Sequence, residues 1–167
     1  MPTKISKIKF TLFIILIFIC SHHVVKGEVP LEIDNPRFSE KGLDDKVYEI
    51  KAEKGFKSAD DLRLITIEGK FRRNDGTWMY LKADSGNFSQ LNKTIVLHDN
   101  ISFYNENNES FTSDYAKFDM KTDTIEFENY VEHESNMGKI SADYSIINNQ
   151  NKITYIGNVK TNLITKQ

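Results

Sequence analysis

The chain has one cysteine, three prolines and one tryptophan in 167 residues, and no acidic residue before Glu28. The single cysteine, Cys20, lies inside the apolar N-terminal run, so the rest of the chain has no disulfide and no thiolate chemistry. It must stand on its core alone. No low-complexity tract interrupts the sequence, and 39% hydrophobic with 28% charged residues is ordinary for a folded domain. Neither a P-loop nor a G-x-S-x-G motif occurs. The adjacent acidic pairs Asp44-Asp45 and Asp60-Asp61 fall in expected turns and would point apart in a strand, which excludes a general acid/base pair. His22 and His23 lie in the N-terminal run, and His98 and His133 read as surface strand positions. No metal triad forms, and no metal, cofactor or catalytic residue is expected.

The missing N-terminal acids hide an asymmetry of charge. Lys4, Lys7, Lys9 and Lys26 precede Glu28; without those four, 18 cations face 24 carboxylates, so the body carries −6. Such a body offers no basic stripe to a phosphate backbone, which argues against nucleic acid as a partner. The lysines flank an uncharged stretch, Phe10–Val25, whose dense part Phe10–Cys20 is 11 residues long. The basic flank orients it with its N-terminus in the cytoplasm and the body exported. Two readings stand: a retained single-pass membrane helix, which is favoured, or a signal cleaved after Gly27. Ile19 before Cys20 excludes a lipoprotein signal. Residues 1–27 are accordingly a stub and membrane anchor (or signal peptide), and 28–167 form one domain.

That domain repeats itself. Ile95, Leu97 and Ile101 fall over Ile125, Phe127 and Val131, then over Ile153, Tyr155 and Val159, with Ile65, Ile67 and Phe71 upstream. A second set of columns runs Ile50-x-Ala52-Glu53, Leu81-x-Ala83-Asp84, Phe111-x-Ser113-Asp114 and Ile140-x-Ala142-Asp143. The steps of about 28–31 residues are those of stacked repeats. Within each unit apolar letters alternate, which is the period of a strand with one buried face. After each Asp the parity slips to a small residue (Gly86, Ala116, Ser145) and then a large one (Phe88, Phe118, Ile147). A slip at a fixed place predicts a bulge or corner, with the Asp bonding nearby backbone. Helical spacing fits only a turn or two near Ser58–Leu62. Asn74-Asp75-Gly76 predicts a hairpin, with Trp78 after it as a packing anchor.

The expectation is an all-β, twisted, open sandwich of stacked strands with an apolar trough and two unpaired edges. The trough lining is read as Ile50, Leu81, Phe88, Ile95, Leu97, Ile101, Phe103 and Phe111, continued by Phe118, Ile125, Phe127, Val131, Ile140, Ile153, Tyr155 and Val159. Lys82, Lys117 and Lys139 are candidate rim cations.

The segment NPRFSEKGLDDKVYEIKAEKG (35–55) resembles the start of the periplasmic domain of the LptC family, a component of lipopolysaccharide export. The residues that carry the likeness are Pro36, Tyr48-Glu49-Ile50-Lys51-Ala52, Leu81-Lys82-Ala83-Asp84-Ser85-Gly86-Asn87-Phe88 and FTSDYAKFDM (111–120). The likeness covers about residues 31–163. It implies a twisted β-jelly-roll behind an inner-membrane helix, facing the periplasm of a Gram-negative bacterium. It also implies a non-enzymatic role: taking lipopolysaccharide from the LptB–LptF–LptG transporter and handing it to LptA. The C-terminal edge, with Ile153, Tyr155, Val159 and Leu163, would meet LptA. A soluble LptA-like bridge protein and a structural β-repeat protein without lipid remain alternatives.

Overall fold

The computed structural model describes residues 30–58 and 61–164; the N-terminal anchor or signal lies outside them. Among the described residues no helix is long and apolar enough to cross a membrane. They form an all-β chain with one turn of 3-10 helix, Leu43–Asp45. Where a turn of helix is expected near Ser58–Leu62, the described residues are strand: β3 runs to Ser58, and Asp61 and Leu62 open β4. Leu62 and Leu64 supply the inward positions of an alternating strand, which overrides the local helical spacing.

The strands are β1 (Leu31–Asp34), β2 (Arg37–Lys41), β3 (Val47–Ser58), β4 (Asp61–Arg72), β5 (Trp78–Ser89) and β6 (Thr94–Asn105). They continue as β7 (Ser110–Asp119), β8 (Thr124–Ser135), β9 (Gly138–Ala142), β10 (Tyr144–Ile147), β11 (Ile153–Ile156) and β12 (Lys160–Leu163). All twelve belong to one antiparallel sheet in which each long strand pairs with its sequence neighbours. The turns fall where Asn, Asp and Gly cluster: Arg73–Thr77, Asn105–Glu109, Met120–Asp123 and Asn148–Lys152.

A single line of corners crosses every strand. Asn35 (φ 49°) donates its backbone N–H to Glu53, and Thr66 (φ 54°) lies between Ile65 and Ile67, which pair with Ser85 and Ala83 on either side of Asp84. Beyond that point β6 and β8 cross the line with two left-handed residues, Asp99-Asn100 and Asn129-Tyr130, and Gly157-Asn158 do the same between β11 and β12. Facing them stand Asp114 and Asp143, one residue against two, which is a bulge that bends the sheet. The recurrent Asp stands at the corner in each unit; where its side chain bonds, at Asp84 and Asp143 but not at Asp114 among the described residues, the partner differs from the expected backbone group. Asp84 accepts from the Asn100 side-chain amide at 2.7 Å and Asp143 from that of Asn158 at 2.9 Å.

Bending along this line folds one sheet into two layers. The β1 layer holds β1, β10, β11 and the halves of β3–β8 that pair with them; the β2 layer holds β2, β9, β12 and the other halves. Side chains meet across the space between, as Tyr48 with Phe118 (5.0 Å between ring centroids) and Phe103 with Phe127 (5.4 Å).

Register explains the repeat. One inward row of the β1 layer reads Gly55, Leu64, Gly86, Leu97, Ala116, Phe127, Ser145, Tyr155 on successive strands. Small and large alternate, so the large members have room to reach the opposite layer. A Cβ on Gly86 would come within 2.7 Å of the Val96 carbonyl and 2.9 Å of Ile67 Cδ1, which is why that column stays small. The repeating unit is thus a pair of strands, and its fixed letters are one small and one large wedge.

The upstream unit is offset from its expected alignment. Leu64 and Ile67 are buried whereas Ile65 is half-exposed, because β4 turns the corner with one left-handed residue instead of two. Sequence spacing assumed the two-residue corner throughout.

Candidate functional site

The core lies between the layers. Twelve of the sixteen expected lining residues are buried in one hydrophobic cluster: Ile50, Leu81, Phe88, Ile95, Leu97, Ile101, Phe103, Phe111, Phe118, Ile125, Phe127 and Val131. Tyr48, Leu64, Met79 and Met120, which the repeat did not single out, join it, as do Ile67 and Phe71 from the upstream columns. Tyr48 was quoted for its family likeness only; its alternation with Ile50 and Ala52 was the signal that placed it inside.

The remaining four lie toward the C-terminal end, where no further strand among the described residues closes the stack. Ile153 and Tyr155 are partly buried against the cluster, and Ile140 is half-buried. Val159 is corrected: it follows the Gly157–Asn158 corner, just before β12, and is 49% exposed, not inward. Ile156, Leu163, Ile164 and Met137 are exposed around it. Among the described residues β11 pairs only with β10 and β12 only with β9, so the outer edge of this last pair of strands is open there.

Aromatic rings run along the core as a file. Tyr48 and Phe71 meet Phe118 at 5.0 and 4.9 Å, Phe71 meets Phe103 at 6.5 Å, and Phe127 joins Phe103 to Phe111 at 5.4 and 5.6 Å. Phe111 then stacks on His133 at 4.1 Å, and His133 faces Tyr155 at 6.0 Å. His133 is therefore buried and not the surface residue its sequence suggested. It occupies the inward row between Phe111 and Ile140, where a ring that can also bond is accommodated.

The two ends differ. At the N-terminal end β1 and β2 splay into separate layers and leave a mouth of about 680 Å³. Phe38 stacks on Phe88 at 4.6 Å on its floor, with Leu62, Ile33 and the exposed Leu91 around them. Elsewhere the layers are in contact: the cavity beneath Phe71, Met79, Ile125 and Ile147 measures about 20 Å³, room for roughly one water.

Opposite the corner line, polar groups close the seam between the layers. Lys46 pairs with Asp123, which also accepts from the Tyr48 hydroxyl at 2.9 Å. Burial, and then the Asp123 carboxylate, push the Tyr48 hydroxyl well above its usual range. A second cluster stands nearer the C-terminal end. Arg73 donates to Glu109 at 2.8 Å and to Asn151 at 3.0 Å, and Asn105 donates to Glu109 at 2.8 Å. His133 Nε2 is 3.5 Å from Glu109, an electrostatic contact too long for a good hydrogen bond, while its Nδ1 meets the Tyr155 hydroxyl. The His133 ring and the Arg73 guanidinium hold the Glu109 carboxyl below its usual range against the opposing effect of burial. Burial, aided by Glu109, raises the Tyr155 hydroxyl to about 12.

The expected rim cations are not at the mouth. Lys82 and Lys139 extend from the outer face of the β2 layer and Lys117 from that of the β1 layer, each between inward-facing neighbours. Trp78 is likewise no packing anchor: it is 37% exposed on the outer face, with the Lys70 ammonium 5.3 Å from its ring. Among the described residues no group of three His, Cys, Asp or Glu side chains could hold a metal.

An interior of this kind excludes water from apolar surface. No family model matches the sequence, and no curated protein matches it. The fold defines an antiparallel, two-layered β-repeat protein with one splayed and one edge-open end.

Proposed function

We propose that this chain is a non-enzymatic carrier of lipopolysaccharide, of the LptC kind, anchored by its N-terminal segment with its domain in the periplasm. The bent two-layer sheet is compatible with the family's twisted jelly-roll. Acyl chains enter at the N-terminal mouth, where Phe38 and Phe88 offer an apolar floor, and lie along the aromatic file once the two layers part to admit them. Each CH₂ withdrawn from water contributes about 0.8 kcal/mol, without any specific contact. The LptB–LptF–LptG transporter supplies the lipid at the β1–β2 end. LptA receives it at the open β11–β12 edge, beside Ile153, Tyr155 and Leu163. The observation that carries this reading is the splayed mouth of about 680 Å³, floored by the stacked rings of Phe38 and Phe88.

A second reading is favoured by the closed interior: a structural β-repeat protein whose core stays dry. Isolation of the full-length chain from membranes of the producing cell separates the two. The carrier brings down an acylated glycolipid and the transporter pair, and its N-terminal sequence begins before Glu28. A lipid-free chain without those partners sinks the carrier, and a mature start at Glu28 replaces the anchor with a cleaved signal.

A further inference from the structure

A groove crosses the outer face of the β2 layer, on the side of the sheet away from the core. It encloses about 520 Å³, within the range of small-ligand sites. Its floor is the backbone of Phe38, Ile50, Gly69 and Leu81, which stand in register on β2 to β5. One wall is the row Arg37, Lys51, Glu68, Lys82. The other ends in Lys70, Tyr80 and Tyr104, the two tyrosines stacked at 5.4 Å. Crossing from β2 to β6 takes four strand spacings, about 19 Å. A smaller hollow of about 240 Å³ continues past Arg37, Lys51 and Glu68 toward the corner line.

The chemistry of the walls is mixed in a particular way. Four cations face two carboxylates, Glu49 and Glu68, so the groove has an excess of two positive charges on a body that carries −6. Lys51 and Lys82 both reach Glu68, at 2.6 and 3.8 Å, and Lys70 reaches Glu49 at 3.1 Å. Arg37 makes no ion pair among the described residues and is free for a bidentate anion contact. The flat tyrosine faces suit an amphipathic ring, and the carboxylates suit hydroxyl donors. A nucleic acid would meet Glu49 and Glu68 as well as the cations. A peptide could not add as a strand, because β3 to β6 are paired on both edges.

From these observations we infer that the outer groove of the β2 layer is a binding site for a short anionic saccharide, a chain of sugar rings bearing phosphate. Phosphate meets the wall of Arg37, Lys51 and Lys82, while sugar faces lie against Tyr80 and Tyr104. The site is on the opposite side of its layer from the lipid path and does not depend on that path being used.

The test is nuclear magnetic resonance titration of the full-length chain, labelled and held in detergent, with three probes: glucose 6-phosphate, glucose and inorganic phosphate. Glucose 6-phosphate shifts the resonances of Tyr80, Tyr104 and Lys82. Either half alone binds about tenfold more weakly or worse, since each lacks one set of contacts. Added salt weakens the interaction. Tyr104→Ala and Lys82→Glu each weaken it by about tenfold, whereas Arg63→Ala on the other layer does not. Lys82→Glu alters only an exposed side chain, so its result stands if Tyr104→Ala unfolds. A fourth probe, fully deacylated lipopolysaccharide, distinguishes sources: equal binding of sugar with and without its lipid means that the saccharide is recognised for itself. Shifts seen only with the intact glycolipid overturn the inference. So do glucose 6-phosphate shifts that are absent, or that survive Lys82→Glu unchanged.

Discussion

Replacing Asp123 by Asn tests whether the seam holds the two layers together. Lys46 and Asp123 retain only 11% and 8% of their side-chain exposure, so their pairing is made with little help from water. Removal of one partner leaves the Lys46 ammonium buried beside a neutral amide, and Tyr48 loses its carboxylate acceptor. Breaking a buried pair from one side costs about 3–5 kcal/mol. For a domain of this size that is a fall in Tm of roughly 6–20 °C. Lys46→Met with Asp123→Leu removes both charges together, and replacing a buried pair by apolar residues is close to neutral. The assay is urea and thermal unfolding followed by circular dichroism, run on Asp123→Asn, on Lys46→Met and Asp123→Leu singly, and on the double variant. The double variant is expected to recover most of the loss, leaving a large coupling between the sites. A loss below about 1 kcal/mol for Asp123→Asn, the range of an exposed pair, refutes the seam.

Three further outcomes follow from the packing. Phe127→Ala, which removes the ring that joins Phe103 to Phe111, costs about 3–5 kcal/mol, whereas Val159→Ala, at an exposed position just before the last strand, stays within about 0.5 kcal/mol; denaturant midpoints compare them. Ser145 has a fully buried hydroxyl with no partner among the described residues, at a place where Gly86 and Ala116 stand in the same row. Ser145→Ala therefore raises stability by about 1 kcal/mol, read from the same midpoints. The Glu109 carboxyl titrates below its ordinary 4.5 in the folded chain, so the stability it contributes is complete above pH 4.5 and is lost as pH falls through the depressed value. Glu109→Gln flattens the slope of stability against pH in that acid window, and an unchanged slope counts against the Arg73–Glu109–His133 cluster.

The alternating columns were legible because burial on one face of a strand imposes a period of two, and the stack repeats that demand every second strand. Twelve expected residues reached the core for this reason. What misled was local. Thr66 alone turns the corner in β4 where Asp99-Asn100 and Asn129-Tyr130 do so in later units, and no propensity distinguishes a one-residue from a two-residue corner. Val159 keeps the apolar letter of its column, yet burial needs a further strand to cover it. His133 looked like a surface residue because a histidine between Glu132 and Glu134 reads as polar; its parity with Val131 was the better guide. The outer groove left no trace in the columns. It depends on Arg37, Lys51, Lys82 and Tyr104 coming into register across strands, and pairing alone brings them together.

The most direct measurement of the proposed carrier is photocrosslinking to lipopolysaccharide from single positions inside and outside the layers. A photoreactive residue at Phe88, beside the mouth, or at Phe127, in the middle of the ring file, should capture lipid. One at Lys117, on the outer face, should not. Adducts absent from both inner positions, or equally frequent at Lys117, contradict a lipid path between the layers.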